Sequence, residues 1–370
     1  MKKILLAMTV FLLFTGLFTG CNMRDVENYA IVHAVGVDPS DKGFKVSFQV
    51  FRVASSGSMT PVDTSKTNVE IISADAQTIQ NAVAQCENQL GKKMYFGHNR
   101  LLVISKNLNE IYSCIDYFSK KSDVYIGMTV AATEGSARDI LDTDISSGTI
   151  AAETMERIFD ISMDQGEAVT FDFMKIVDNY IDTGGTAALP LVEERPQAVA
   201  DKSKENGEPA QDTLMVNKGI MIVDGNFGAT LETNEVLGIN FFKSTVREAY
   251  VVVETDTEKR SVKVKSIKQK TEFSADDNGK TITKNITVRI NVDSSESADV
   301  EEELKKAVEE KIQEYLTAAV QKTLRDNTAD VMGFTEWIKQ KNYREYEKLV
   351  ENRGEYLKSI DVKTNVTAVF

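Results

Sequence analysis

Between residues 281 and 325 the apolar residues change period, and that change limits the folds open to the chain. Residues 281–292 place Ile282, Ile286, Val288, Ile290 and Val292 on one face, the two-residue alternation of a half-buried strand. Residues 298–325 then space Val300, Leu304, Val308, Ile312, Leu316, Ala319 and Leu324 by three and four, the stripe of an amphipathic helix. A strand with one apolar face and a long helix with one apolar stripe are both dried when the helix lies across the sheet. The flanking sequence extends that sheet. Strand-like runs occupy residues 249–254 and 261–273, and Asp276-Asp277-Asn278-Gly279 supplies a hairpin turn before Thr281. An antiparallel meander is expected, completed by a helix near 335–352 and a last strand with Ile360, Val362, Val366 and Phe370 in phase.

The first half carries a different order. A strand over 30–37, a turn at 38–43 and a second arm with Phe44, Val46, Phe48 and Val50 on one face read as a hairpin. After a polar loop at 55–66, a helix over 76–90 ends at Gly91, whose missing Cβ permits a left-handed cap. A strand at 101–104, a helix at 108–118 and a strand at 124–132 follow, the alternation of a mixed sheet with helices packed on it. Residues 136–181 are mostly helical in pattern, as far as Thr183-Gly184-Gly185-Thr186. Residues 193–212 lack apolar periodicity and hold two prolines, and they read as an exposed linker. GIMIV at 219–223, with a turn at Asn226-Phe227-Gly228, opens the second half. The expected fold is therefore multi-domain α+β, with mixed and antiparallel sheets and flanking helices. Its divisions are 1–20, a signal segment; 21–192, an α+β region; 193–213, a linker; and 214–370, an antiparallel sheet with a long helix.

At the N-terminus, Lys2 and Lys3 precede an apolar run over residues 4–18 interrupted only by Thr9, Thr15 and Gly16. That is shorter than the ~20 residues a helix needs to cross the hydrocarbon of a bilayer. The basic start, the short apolar middle and Thr19-Gly20 have the form of a secretory signal peptide. A cysteine directly after them, Cys21, makes it a bacterial lipoprotein signal, with the thiol acylated and the chain cleaved before it. An uncleaved signal anchor is the other reading of the run, and Phe18 stands where an aliphatic residue is usual. Cleavage removes Lys2 and Lys3 and deepens the net charge from −13 to −15. Such a surface is repelled by nucleic acid and by anionic headgroups, so nucleic acid is not an expected partner and acyl chains must supply the membrane affinity. Cys86 and Cys114 are expected as buried free thiols, with a disulfide as the alternative outside the membrane.

Candidate chemistry is sparse. His33 lies inside an apolar strand, and His98 sits at a turn before another; each is expected to be structural. No GxSxG, HExxH, P-loop or GxGxxG pattern is present, and no cysteine or histidine spacing suits a metal. Trp337, at helical spacing from Phe334, reads as a core anchor. No catalytic residue, metal or cofactor is expected beyond a covalent lipid on Cys21.

Five segments in order carry a resemblance: RDVENYAIVHAVGVD after Cys21, KKMYFGHNRLLVI, VYIGMTVAATEGSARDIL, KGIMIVDGNFGATLETNEVLGINF and DVMGFTEWI. Together they resemble the Ger(x)C family, the C subunits of GerA-type spore germinant receptors, over nearly the whole chain after Cys21. The resemblance makes Cys21 the lipidated residue and places Arg24, Gly36 and Asp38, then Tyr95, Gly97 and His98, then Gly333 and Phe334, on family motif positions of unknown role. The family's common Trp-Asp after the cysteine is absent; Asn22-Met23 and Asp25 stand there, with one residue fewer. The resemblance implies a non-catalytic lipoprotein on the outer face of the inner spore membrane, working with multi-spanning A and B subunits, and an α+β fold whose region before residue 195 divides into two smaller domains. The residues alone leave two other functions open: a solute-binding lipoprotein that captures a small nutrient, and a cell-envelope hydrolase.

Overall fold

The structure is a computed structural model that describes residues 26–51, 69–143, 145, 151–169, 173–182, 186–196, 212–255, 258–276, 279–291 and 298–370. The expected signal segment, Cys21, Arg24, the loop over 55–66 and Val292 lie outside those residues.

The larger sheet begins with β1 (Tyr29–Ser40), β2 (Gly43–Phe51) and β3 (Val69–Ala76). After α1 (Ile79–Leu90) and the short β4 (Lys93–Tyr95) come β5 (Leu101–Ser105), α2 (Ile111–Ser119) and β6 (Thr129–Thr133). Helices α3 (Ala137–Asp142), α4 (Ala151–Asp164) and α5 (Phe173–Asp182) lead to β7 (Ala187–Pro196), β8 (Asp212–Val223) and β9 (Asn226–Leu231). The strand order is β3-β2-β1-β5-β6-β7-β8-β9, with β4 beside the start of β1. Strands β1, β5, β6 and β7 run parallel, and antiparallel hairpins close both sides.

Alternate residues of the parallel strands enter separate cores. Leu102 and Ile104 of β5 pack with Val83 and Cys86 of α1 and Ile115 and Phe118 of α2, whereas Leu101 and Val103 pack with Ile140 of α3 and Met155 and Phe159 of α4. Helices on both faces explain why every residue of β5 and β6 is buried, as a central parallel sheet requires. They also bury Gln49, whose side chain donates to Leu141 O at 2.9 Å and accepts from Ala152 N at 3.1 Å. One amide thus satisfies the end of α3 and the start of α4. Cys86 and Cys114 are free and buried on this sheet's helices, and burial pushes the Cys86 thiol up to about 11.

Helix α6 (Thr233–Lys243) links the two sheets. The smaller sheet holds β10 (Ala249–Glu254), β11 (Lys259–Asp276), β12 (Gly279–Asn291) and β13 (Ile360–Val369) in that order. Across it runs α7 (Ala298–Val320), continued by a π-helical segment over Gln321–Asp326, and then α8 (Phe334–Lys341), α9 (Tyr343–Glu351) and α10 (Arg353–Ser359). Gly238 of α6 sits against the backbone of Tyr315 in α7; a Cβ there would lie 2.6 Å from Tyr315 C and 2.7 Å from Ala319 Cβ. Asn240, fully buried, donates to Gly166 O at 2.9 Å and Ala168 O at 2.8 Å, fixing α6 to the segment after α4.

Four expectations change. Strand residues enter the expected linker from both ends, and β8 pairs with β7, so the chain rejoins the first sheet after residue 211 and changes sheet only beyond β9. The turn before β9 is Asp224-Gly225, both at positive φ (49° and 81°), while Asn226 and Phe227 belong to the strand. This is the two-residue hairpin geometry that Asp-Gly favours. The meander is antiparallel only as far as β12, because β13 returns after four helices and pairs parallel to it. The single helix expected near 335–352 is divided into α8 and α9 by Asn342 and ends at Asn352, before α10; both asparagines have φ near −150°.

Candidate functional site

The motif positions separate into two supports and one exposed patch. In the first support, the Asp38 carboxylate at the end of β1 accepts from Ala137 N at 2.6 Å and Arg138 N at 3.1 Å, and from the Ser136 hydroxyl at 3.3 Å. It thereby caps α3 from another element, and Gly36 lets that helix approach: a Cβ at Gly36 would sit 3.1 Å from the Ala137 carbonyl. The second support has the same construction. Asp330 accepts from Gly333 N and Phe334 N at 2.9 Å and from Thr335 N at 2.6 Å. Gly333, at φ +83°, turns the chain into α8, and Phe334 is buried edge-on to Phe242 with ring centres 5.1 Å apart. Asp330 was not singled out by sequence, because it stands four residues before the first residue of α8 and the N-cap position itself is Gly333.

The third group forms the candidate site. Tyr95, at the end of β4, folds back over Gly97, where a Cβ would lie 2.5 Å from Tyr95 Cζ. Its ring meets Tyr29 edge-on at 6.1 Å and His98 at 6.0 Å. His98 lies 6.2 Å from His33, which packs at the same distance against Phe51. Beyond them, the Arg100 guanidinium stacks 4.6 Å from the centre of the Tyr125 ring and approaches Glu156 at 3.8 Å. Tyr125 folds over Gly127 as Tyr95 does over Gly97, with a Cβ 2.8 Å from the ring. The sequence signal for this pair is the repeated Tyr-x-Gly, in YFG and YIG, which becomes informative only when both are adjacent in space.

The patch presents apolar surface with a positive edge. Tyr95 and Tyr125 are each 37% exposed and Ile126 is 61% exposed. His33 beneath them is 7% exposed, and its pKa is lowered to about 4, first by burial and then by His98 and Arg100. It is neutral at pH 7 and packs as an aromatic ring. Burial raises the pKa of Glu156 against the opposing pull of Arg100. Two partly exposed tyrosines, an isoleucine and an arginine make a surface suited to holding another macromolecule, since aromatic residues and Arg anchor protein interfaces.

Cys21 and Arg24 lie outside the described residues. Among the described residues, no helix is long and apolar enough to cross a membrane, and no group of three His, Cys, Asp or Glu is gathered as for a metal. Trp337 is half-buried, edge-on to Phe273 at 6.1 Å, and packs against the core from the wall of a cleft.

Two family models match the chain: the spore germination protein N-terminal domain over residues 22–194, and the spore germination B3/GerAC-like C-terminal domain over residues 218–369. One limit falls within β7 and the other within β8, so the C-terminal family region contributes the end of β8 and all of β9 to the N-terminal sheet. A crystal structure of the GerBC protein is similar in fold, with a TM-score of 0.53 and 12% identity, covering 90% of this chain and 96% of that one. No curated protein sequence matches.

Proposed function

Because this chain belongs to the Ger(x)C family of spore germination proteins, we propose that it is the lipid-anchored C subunit of a nutrient-germinant receptor. It acts without catalysis, as a scaffold or signalling partner for multi-spanning A and B subunits, at the outer face of the inner spore membrane. The observation that carries this reading is the pair of family matches, which together span most of the chain.

The exposed aromatic patch supports this reading. Tyr29 follows Cys21 by eight residues, which reach at most about 28 Å when fully extended. With the Cys21 thiol acylated and more than one acyl chain in the bilayer, the Tyr29–Tyr95–Tyr125 surface is held close to the membrane. A membrane-spanning partner would present its extracellular loops at that height.

Replacing Cys21 with Ala should release the protein from spore membranes and impair nutrient-triggered germination. Capture of the lipidated protein from dormant-spore membranes should recover two multi-spanning partners. Retention on the membrane with unimpaired germination, or capture without such partners, would refute the assignment.

A further inference from the structure

A cleft of about 590 Å³ lies where α5, the end of α6, β12 and the segment leading into α8 meet. Two of its wall residues are unusual. Lys284 lies in phase with Ile282, Ile286 and Val288 on the buried face of β12 and is only 5% exposed. Its ammonium sits 4.6 Å from the centre of the Phe242 ring, and among the described residues no carboxylate is within ion-pair distance of it. Thr335 is 3% exposed, and its hydroxyl is buried without a hydrogen-bond partner. An unpaired buried ammonium is disfavoured by several kcal/mol, and a cation–π contact offsets only part of that. Two polar groups lacking protein partners at one cleft are what a binding site for an anion leaves for its ligand to satisfy.

The surroundings narrow the anion. The N-terminal amides of α8, which could cradle a phosphate, are already taken by Asp330. Among the described residues no arginine lines the cleft; its four lysines, Lys175, Lys243, Lys284 and Lys339, face three carboxylates, Asp178, Asp330 and Glu336, so the wall carries a net charge of one positive unit and favours a singly charged group. A single negative charge with an apolar body meets these conditions, the body lying against the Phe242 ring and the Trp337 indole. We propose that this cleft binds a small monocarboxylate, with Lys284 as its counter-charge and Thr335 as a second polar contact. The site stands independently of the receptor assignment, because nothing in it depends on partners or on the lipid.

Trp337 is the chain's one tryptophan and lines the cleft, so its emission reports occupancy directly. The full chain, in detergent at constant ionic strength, is titrated with sodium butyrate, with butyramide and with inorganic phosphate, each to roughly 50 mM. Butyrate should give a saturable change, and butyramide, the neutral analogue, should bind at least about tenfold more weakly. Lys284→Met should weaken butyrate at least about tenfold while keeping or raising Tm, since an apolar chain of similar length replaces a buried charge. Thr335→Val should weaken it by about threefold to tenfold and serves if Lys284→Met does not fold. Equal response to butyrate and butyramide, tighter binding of phosphate, an undiminished response in folded Lys284→Met, or no saturable change would each overturn the proposal.

Discussion

Removing the Asp330 carboxylate tests whether the family motif around Gly333 is a structural support. In Asp330→Ala three backbone N–H groups lose their acceptor together, those of Gly333, Phe334 and Thr335. Phe334 and Thr335 are almost fully buried, so two of these donors have no route to water without opening the turn. Loss of an N-cap costs about 1 kcal/mol, and a buried donor left unsatisfied costs about 1–3 kcal/mol. Gly333 is the N-cap position itself and has no side chain to take over. Allowing the turn to relax toward solvent on the Gly333 side, the expected loss is about 3 kcal/mol. Asp330→Asn keeps one acceptor oxygen and loses the other, and should cost about half as much. Urea unfolding followed by the emission of Trp337, which lies in the helix being uncapped, measures both. The order should be wild type, then Asn, then Ala, at unchanged slope. If both variants unfold within about 0.5 kcal/mol of wild type, the capping argument is wrong.

Three further expectations follow from the same geometry. Gly238→Ala forces a methyl into the Tyr315 backbone where α6 crosses α7, and overpacking of this kind should cost about 3 kcal/mol, read as a lower urea midpoint. Gly97→Ala meets only the end of the Tyr95 side chain, so it should move that ring at a cost below about 1 kcal/mol yet reduce recovery of partners from spore membranes. The folded pKa of His33, about 4, lies below its ordinary 6.5, so the unfolded chain takes up the proton first as pH falls. That difference leaves stability intact above about pH 6.5 and erodes it down to about pH 4. The loss should be about 2 kcal/mol after discounting for partial solvent screening, and His33→Asn should remove this part of the pH dependence in denaturation curves at pH 7 and pH 4.5.

Much of this architecture is written in local patterns. Gly91 ends α1 at φ +66°, and the stripe from Leu304 to Ala319 is buried as its spacing implies. Helix α6 was not legible for a physical reason. Val236, Gly238, Ile239, Asn240, Phe241 and Phe242 are all buried, so a helix enclosed between the first sheet and α7 shows no polar face and no amphipathic period. The break-up of 335–352 was hidden because asparagine, unlike proline, leaves the helical spacing of its neighbours undisturbed. Lys284 was invisible beside Ile282 and Ile286, since a lysine in an alternating strand normally marks the solvent face.

The sequence by itself determined the α+β class, the periods of its main strands and helices, and the family whose motifs it carries in order. These depend on residues a few positions apart, where backbone geometry links spacing to structure directly. Only the tertiary structure decided that β8 returns to the first sheet, that β13 runs parallel to β12, and that Tyr29, Tyr95, His98 and Tyr125 share one surface. Strand pairing and surface patches join residues far apart in the chain, and the competing arrangements differ in which distant faces they bury together. Local spacing carries no record of that choice; the packing of α6 between the first sheet and α7 does.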